Sequence, residues 1–141
     1  MQFRFVVAID FDGTIAESIN GPPTRVMPGA KEALIKIRKL GGKIILWSGR
    51  CNKRMIEHLF DELGINVLAE MTTFIKEHQI PYDEIANESV DAKPFADFFI
   101  DDKSIPPFIG DWEAAYAQLE TTVNAPGFKS MLDQFRFLRG E

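Results

Sequence analysis

The chain has 141 residues, of which 45% are hydrophobic and 26% charged, a composition typical of a globular domain with one substantial core. Its formal net charge of -5, from 16 basic and 21 acidic residues, argues against an electrostatic nucleic-acid binder and favours a small-molecule or protein partner. A lone cysteine excludes an intramolecular disulfide, and no apolar run approaches the roughly 20 residues of a membrane span. Since the N-terminus also lacks the charged start and cleavage site of a signal peptide, we expect a cytoplasmic protein with residues 1–141 in a single domain.

The first predicted element is a buried strand that ends in two acids. Residues 3–15 (FRFVVAIDFDGTI) are a short apolar run that stops at Asp10 and Asp12, and Gly13 and Thr14 then suit a sharp, capped turn. The two carboxylates thus emerge at the carboxyl end of a strand, which is where open parallel α/β sheets bind ligands. An ordinary strand and turn with solvated acids is the alternative at this point, because Asp and Gly are common turn residues.

A loop is predicted directly after the acidic turn. Residues 16–29 lack periodicity and are rich in Gly and Pro. A loop of this length in a small domain is usually functional or disordered, and its position beside the acids favours a flap over a site. Its candidate substrate-facing side chains are Glu17, Asn20 and Arg25.

A surface helix and a second strand come next. Residues 30–40 place apolar side chains at helical spacing and charged side chains on the other face. Residues 43–47 (KIILW) then predict a short strand, which ends in Ser-Gly-Arg at residues 48–50. Because a strand, crossover helix and strand form a parallel pair, Ser48 should lie beside Asp10 at one edge of the sheet.

Two amphipathic helices are predicted at residues 53–63 and 66–78. Their histidines, His58 and His78, have no acid or base partner nearby in sequence, so we interpret both as surface or packing residues. The thiol of Cys51 could have a lowered pKa beside an arginine, but a lone cysteine is more often a small buried hydrophobic residue.

The second half of the chain repeats the pattern of an apolar strand that ends in acids. Residues 80–86 predict a short strand, residues 87–93 a polar loop, and residues 95–100 (FADFFI) an apolar strand. Close carboxylates repel one another unless a cation lies among them, and a few hard oxygen ligands suit Mg²⁺. If both strands lie in one parallel sheet, four carboxylates converge on one edge: Asp10, Asp12, Asp101 and Asp102.

The end of the chain predicts a helix near residues 111–119 and a further apolar and charged segment at residues 128–138. Phe135, Phe137 and Leu138 are more apolar than a solvated tail needs, so we expect them to pack on the core or on another subunit. We hypothesise a homo-oligomer, since C2 dimers are the commonest soluble assemblies.

The order of these motifs resembles the haloacid dehalogenase superfamily of phosphohydrolases. Its four-motif pattern is matched by DFDGT at residues 10–14, by Ser48 at the end of the second strand, by Lys93, and by the strand that ends in Asp101 and Asp102. The resemblance implies a Rossmann-like, three-layer α/β/α fold with a mainly parallel central sheet. Too few residues follow either of the first two motifs for a large cap domain.

The resemblance also implies a role for each motif. It makes Asp10 the nucleophile that forms an aspartyl phosphate, Asp12 the acid and base, and Lys93 the cation that neutralises charge. It implies substrate-binding roles for four polar or small residues: Thr14, Ser48, Gly49 and Arg50. It implies a Mg²⁺ site formed by four acids, with Asp12 contributing its backbone carbonyl: Asp10, Asp12, Asp101 and Asp102.

The expected activity is Mg²⁺-dependent hydrolysis of a phosphate monoester on a small molecule or a macromolecule, without a membrane or nucleic-acid partner. A catalytically retired fold that serves as a binding or regulatory module is one alternative. The alternative is disfavoured because a retired site has no need of both the nucleophile and the acid and base, whereas this chain keeps Asp10, Asp12, Lys93 and Asp101. A phosphotransferase on the same fold is a further alternative, which differs only in the acceptor.

Overall fold

The protein is described by a computed structural model. Two residues with predicted roles, Lys93 and Asn20, lie outside the described residues, as does the predicted polar loop at residues 87–93. The structure describes four ranges of the chain: 2–18, 21–86, 94–102 and 108–140.

The described residues form short strands and helices, and all the strands precede the last two helices. None of the described helices is both long and apolar enough to cross a membrane. The strands are β1 (Phe5–Asp10), β2 (Ala16–Glu17), β3 (Arg25–Val26), β4 (Gly42–Trp47), β5 (Glu84–Ile85) and β6 (Phe98–Ile100). The helices are α1 (Ala30–Lys39), α2 (Lys53–Leu63), α3 (Val67–Glu77), α4 (Trp112–Val123) and α5 (Phe128–Leu138), with a 3₁₀ turn at Gly49–Cys51.

In the part of the chain that the structure describes, the central sheet has four parallel strands in the order β5-β4-β1-β6, flanked by helices. The predicted Rossmann-like α/β/α fold is therefore confirmed, and no large cap domain occurs among the described residues. The register pairs Asp10 with Trp47 of β4 and Ile9 with Ile100 of β6. The residues that follow β4 and β6 consequently lie beside the end of β1.

The core is built around β1, which like β4 has a strand on each side. Phe5, Val7 and Ile9 of this strand are fully buried, because sheet strands covered by helices on both faces need apolar side chains. Full burial of one such side chain stabilises the fold by about 1.5–3 kcal/mol. The ring of Phe11, just beyond β1, contacts that of Phe74 in α3 edge to face at 5.8 Å, which holds α3 against the end of the strand.

Capping side chains fix where three helices begin. Asn52, Asn66 and Asp111 each accept a hydrogen bond from a backbone N–H three residues later, at the starts of α2, α3 and α4. The predicted helices at 53–63 and 66–78 match α2 and α3 closely, whereas α4 runs four residues beyond its predicted end.

The flap after the acidic turn is more regular than expected. β2 and β3 form a two-stranded antiparallel ribbon, with Ala16 paired to Val26 and Glu17 paired to Arg25. Strands of two residues are too short to produce a detectable alternation in the sequence, so the prediction of an irregular loop was wrong for these positions.

The apolar end of α5 does not pack on the core. The face of α5 that meets the protein carries Phe128, Leu132 and Arg136 at intervals of four residues, and the last of these is charged. The expectation of core packing is wrong, since Phe137 is 80% exposed and Leu138 is 78% exposed. The other expectation for these side chains, contact with another subunit, stays a prediction.

Candidate functional site

Three acids meet at the carboxyl end of the sheet. Asp10 ends β1, and Asp101 and Asp102 follow β6, so that one carboxylate oxygen from each lies within 4.8 Å of the others. Burial, followed by the charges of Asp101 and Asp102, raises the pKa of Asp10 to about 7, against the opposing effect of a hydrogen bond from Thr14. The cluster therefore has a strong electrostatic preference for a nearby cation.

The donor set of this cluster fits Mg²⁺. All three side chains offer hard carboxylate oxygens, which are the ligands that Mg²⁺ prefers. One of them, Oδ1 of Asp102, is buried and accepts no hydrogen bond in the described part of the chain. Because an unpaired buried acceptor costs free energy, a bound cation would remove a defect that the described residues leave in place.

The turn after β1 requires glycine for two reasons. Gly13 has φ of 80°, a left-handed conformation that disfavours other residues. A Cβ atom at this position would also come within 2.7 Å of Oδ2 of Asp102. Glycine thus lets the end of β6 approach the end of β1, a role that the sequence did not reveal.

The carboxylate of Asp12 is not a member of the three-acid cluster. Its two oxygens accept hydrogen bonds from Nε of Arg50 at 3.0 and 2.9 Å, and Oδ2 also accepts one from the Ser48 hydroxyl at 3.3 Å. The two acids of the DFDGT motif therefore have different surroundings. Asp10 lies beside two other acids, whereas Asp12 is hydrogen-bonded to the guanidinium of Arg50. The predicted metal contact through the Asp12 backbone carbonyl stays a prediction.

Arg50 is buried and donates hydrogen bonds to several parts of the protein. Besides the Nε contacts to Asp12, Nη1 donates to the Val67 carbonyl at 3.3 Å and to Glu70 at 3.1 Å, and Nη2 donates to the Gly21 carbonyl at 2.8 Å. All three guanidinium nitrogens thus contact protein acceptors. Sequence reasoning missed Glu70 and Gly21, because nothing in a sequence marks partners 20 or 29 residues away.

The other predicted substrate-binding residues lie in two turns at the same edge. Ser48 follows β4, and its hydroxyl accepts a hydrogen bond from the Arg50 backbone N–H at 3.1 Å. A Cβ atom at Gly49 would meet nothing within 4 Å, so this glycine borders open space. Thr14 is buried, and its carbonyl accepts a hydrogen bond from the indole of Trp112 at 2.8 Å. Trp112 was not predicted, and it attaches α4 to the acidic turn.

The flap side chains predicted to face a substrate pair with each other instead. Arg25 and Glu17 form an ion pair across the β2–β3 ribbon, and the Arg25 side chain is largely exposed. The flap contacts the site through its backbone, at the Gly21 carbonyl that Arg50 binds. The third predicted side chain of the flap, Asn20, lies outside the described residues.

The cysteine and the second histidine have packing roles. Burial is the main cause that raises the pKa of Cys51 to about 11, so this thiol stays protonated at neutral pH. The ring of His78 lies 4.2 Å from that of Phe74. The interpretations of Cys51 as a buried hydrophobic residue and of His78 as a packing residue are confirmed.

Comparisons with known proteins agree with this geometry. Residues 7–102, which include all three clustered acids, match the family model described as haloacid dehalogenase-like hydrolase. A conserved protein from Bacteroides thetaiotaomicron has a similar structure, with a TM-score of 0.59, 24% identity and coverage of 82% of this chain and 89% of that one. A protein from Vibrio cholerae is similar with a TM-score of 0.50, 25% identity and coverage of 85% and 97%. No curated protein matches the chain.

Proposed function

The chain belongs to the haloacid dehalogenase-like hydrolase family, and on that premise we propose that it is a Mg²⁺-dependent phosphatase that hydrolyses a phosphate monoester through an aspartyl phosphate. The observation that carries the proposal is the meeting of Asp10 with Asp101 and Asp102 at the carboxyl end of parallel strands. Three acids so close together repel one another and would destabilise a site with only a structural role. A cation among them would offset this repulsion and could also bind phosphate oxygens.

Asp10, Asp101 and Asp102 are the side chains that would hold the metal. When bound, Mg²⁺ would favour the ionised form of Asp10 and screen its repulsion from the phosphate. The raised pKa of Asp10 supports a need for the cation, because a nucleophilic carboxylate must be ionised at the pH at which it works.

The proposed reaction has two steps. A carboxylate oxygen of Asp10 attacks phosphorus, the bond from phosphorus to the ester oxygen breaks, and the departing oxygen takes a proton from Asp12. Water then attacks the aspartyl phosphate, gives one proton to Asp12, and releases inorganic phosphate with Asp10 restored. Each step leaves Asp12 in the protonation state that the next step requires.

Phosphate binding is assigned to the turns that surround Asp10. The hydroxyl of Ser48 and the open space at Gly49 lie after β4, and Thr14 lies in the acidic turn. Lys93 is proposed to neutralise the nucleophile and the phosphate, as its place in the motif order suggests. Phosphorylated small molecules and phosphorylated macromolecules are both candidate substrates, since the described residues include no cap domain that would exclude the larger ones.

A screen of phosphorylated metabolites with Mg²⁺ and detection of free phosphate tests the proposal. We expect at least one monoester to be hydrolysed, with activity lost in excess EDTA and in Asp101→Ala. Ca²⁺ should inhibit, because its larger and looser coordination misplaces the nucleophile. Full turnover in excess EDTA would contradict the metal requirement. Hydrolysis of no monoester would favour the retired module, and transfer to an acceptor other than water would favour a phosphotransferase.

A further inference from the structure

We propose that Arg50 is a positioning residue that aims the Asp12 carboxylate for proton transfer, rather than a ligand of the substrate's phosphate. This inference rests on the proposed phosphatase activity and concerns one component of it. The resemblance to the family implied that Arg50 binds the substrate. In the structure, however, the Arg50 side chain is only 10% exposed and lies against Asp12.

The contacts on Asp12 fix the direction of its carboxylate. Nε of Arg50 lies 3.0 and 2.9 Å from the two oxygens, and Ser48 adds a third hydrogen bond at 3.3 Å. A general acid must lie within hydrogen-bond reach of the departing oxygen, and small displacements lower the rate steeply. Arg50 therefore acts on the reaction through the orientation of Asp12.

The two Nη atoms of the Arg50 guanidinium are hydrogen-bonded as well as Nε. Nη1 donates to Glu70 on α3, and Nη2 donates to the Gly21 carbonyl in the flap. If Arg50 turned towards a phosphate, the half-buried carboxylate of Glu70 would lose this hydrogen bond, which is unfavourable away from water. The arginine thus connects three segments of the chain: the flap, the acidic turn and α3.

The two possible roles of Arg50 predict different kinetics. Every monoester presents the same phosphoryl group, so loss of a phosphate ligand should weaken the binding of all substrates equally. Loss of a residue that aims the general acid should harm substrates with poor leaving groups most, because these depend most on protonation of the departing oxygen. The leaving group therefore distinguishes positioning from binding.

The experiment compares p-nitrophenyl phosphate with phenyl phosphate, which has a similar shape and a poorer leaving group. In Arg50→Met we expect kcat/KM for phenyl phosphate to fall about tenfold or more beyond the fall for p-nitrophenyl phosphate, within the ~10²- to 10⁴-fold range of general acid and base catalysis. Intact-protein mass spectrometry should also show an accumulated phosphoryl adduct, since Asp12 is then a poorly placed base for water. Equal losses for the two substrates, with a raised KM for both, would overturn the inference.

Arg136→Met is the matched control, because Arg136 also binds an aspartate through Nε and Nη2, at the opposite end of the sheet. It should lower the melting temperature and leave the ratio of the two kcat/KM values unchanged. A purely structural role for Arg50 would give the same result in Arg50→Met.

Glu70→Gln and Arg50→Lys decide the question if Arg50→Met does not fold. Glu70→Gln keeps the contact between Arg50 and Asp12 but weakens its support, so the ratio should shift in the same direction by a smaller factor. An unchanged ratio of the two kcat/KM values in both variants would overturn the inference about Arg50 and leave the proposed phosphatase activity standing. A wild-type protein that hydrolyses neither these two esters nor any monoester of the metabolite screen with Mg²⁺ present would overturn the proposed function, and this inference with it.

Discussion

Aspartates at the two ends of the sheet have opposite environments. At the carboxyl end, burial and two neighbouring acids raise the pKa of Asp10 to about 7. At the amino end, Asp97 precedes β6, and its side chain is 2% exposed. Burial alone would raise the pKa of Asp97, but hydrogen bonds from Arg136 and the Val6 N–H, together with the charge of Arg136, outweigh it and lower the pKa.

The difference separates an acid that stabilises the fold from acids that are available for chemistry. Asp97 has its charge compensated within the chain, because Arg136 and Arg139 of the last helical segment both donate to it. Within the described ranges, Asp10 accepts a hydrogen bond from Thr14, and the charged groups that shift its pKa are the acids Asp101 and Asp102. We infer that the carboxyl end carries a cost in stability that a cation would relieve, as is common at functional sites.

The largest effect on activity is expected from removal of the nucleophile, which lies at the carboxyl end of the sheet. We expect Asp10→Asn to abolish activity, because an amide is a poor nucleophile and the metal site loses a charge. Intact-protein mass spectrometry should find no phosphoryl adduct on this variant after mixing with p-nitrophenyl phosphate. An adduct on Asp10→Asn would show that the nucleophile is another residue.

Asp12→Asn should have the next largest effect at the same end. With an activated leaving group the first step needs little protonation, so Asp10 is phosphorylated while water attack lacks its base. Hydrolysis should slow by ~10²- to 10⁴-fold and the aspartyl phosphate should accumulate. Peptide mapping of the adduct checks the assignment, since a phosphoryl group on Ser48 would contradict it.

At the amino end, Asp97→Ala should affect stability rather than chemistry. The change removes the carboxylate that accepts hydrogen bonds from Arg136 and the Val6 N–H, and we expect a loss of about 2–3 kcal/mol in the free energy of unfolding, measured with urea at pH 7. Asp133→Ala on α5 is the control, since its exposed pair with Lys129 should contribute less than about 0.5 kcal/mol. Equal losses in the two variants would remove the distinction between the ends.

The two ends should also respond to pH with opposite signs. The pKa of Asp97 is lowered by folding, so its contribution is complete above its ordinary value of 3.8 and is lost as the pH falls through the lowered value. The pKa of Asp10 is raised by folding, so its ionisation destabilises the metal-free protein as the pH rises from 3.8 to about 7. In EDTA at pH 8, Asp10→Asn should exceed the wild type in stability by about 1–2 kcal/mol, a value reduced for partial exposure of the group. Urea unfolding with EDTA at several pH values checks both signs, and a less stable Asp10→Asn at pH 8 would contradict the second.

The smallest effect on stability is expected at the end of α5. Phe137→Lys and Leu138→Lys replace exposed side chains, so each should change the free energy of unfolding by less than about 0.5 kcal/mol. If these residues contact another subunit, as the apolar tail predicts, each variant should instead reduce the mass measured by light scattering. A wild-type mass near 16.0 kDa at high protein concentration would remove the homo-oligomer hypothesis.

The first half of the fold could be predicted because its signals are local. The helix predicted at residues 30–40 is α1 at Ala30–Lys39, and the strand predicted at 43–47 is β4 at Gly42–Trp47. Periodicity and turn residues determine such elements within one stretch of chain. β6 is shorter than the predicted strand at 95–100. The Val6 N–H donates to the side chain of Asp97 and not to a backbone carbonyl, so the ladder between β1 and β6 is not continued there.

The sequence by itself predicted the parallel pair of β1 and β4 and the acids that end two apolar strands, since these follow from local pattern and the handed crossover. That β1 and β6 are also neighbours in one sheet came from the tertiary structure. Only the tertiary structure decided which aspartates pair with arginines: Asp12 with Arg50, away from the other three acids, and Asp97 with Arg136. These partners lie 38 or more residues away in the two arginine pairs, and the direction of a carboxylate has no periodic signature in a sequence. The charge environment of an acid is a property of the packed fold, because it depends on which distant side chains share its low-dielectric surroundings.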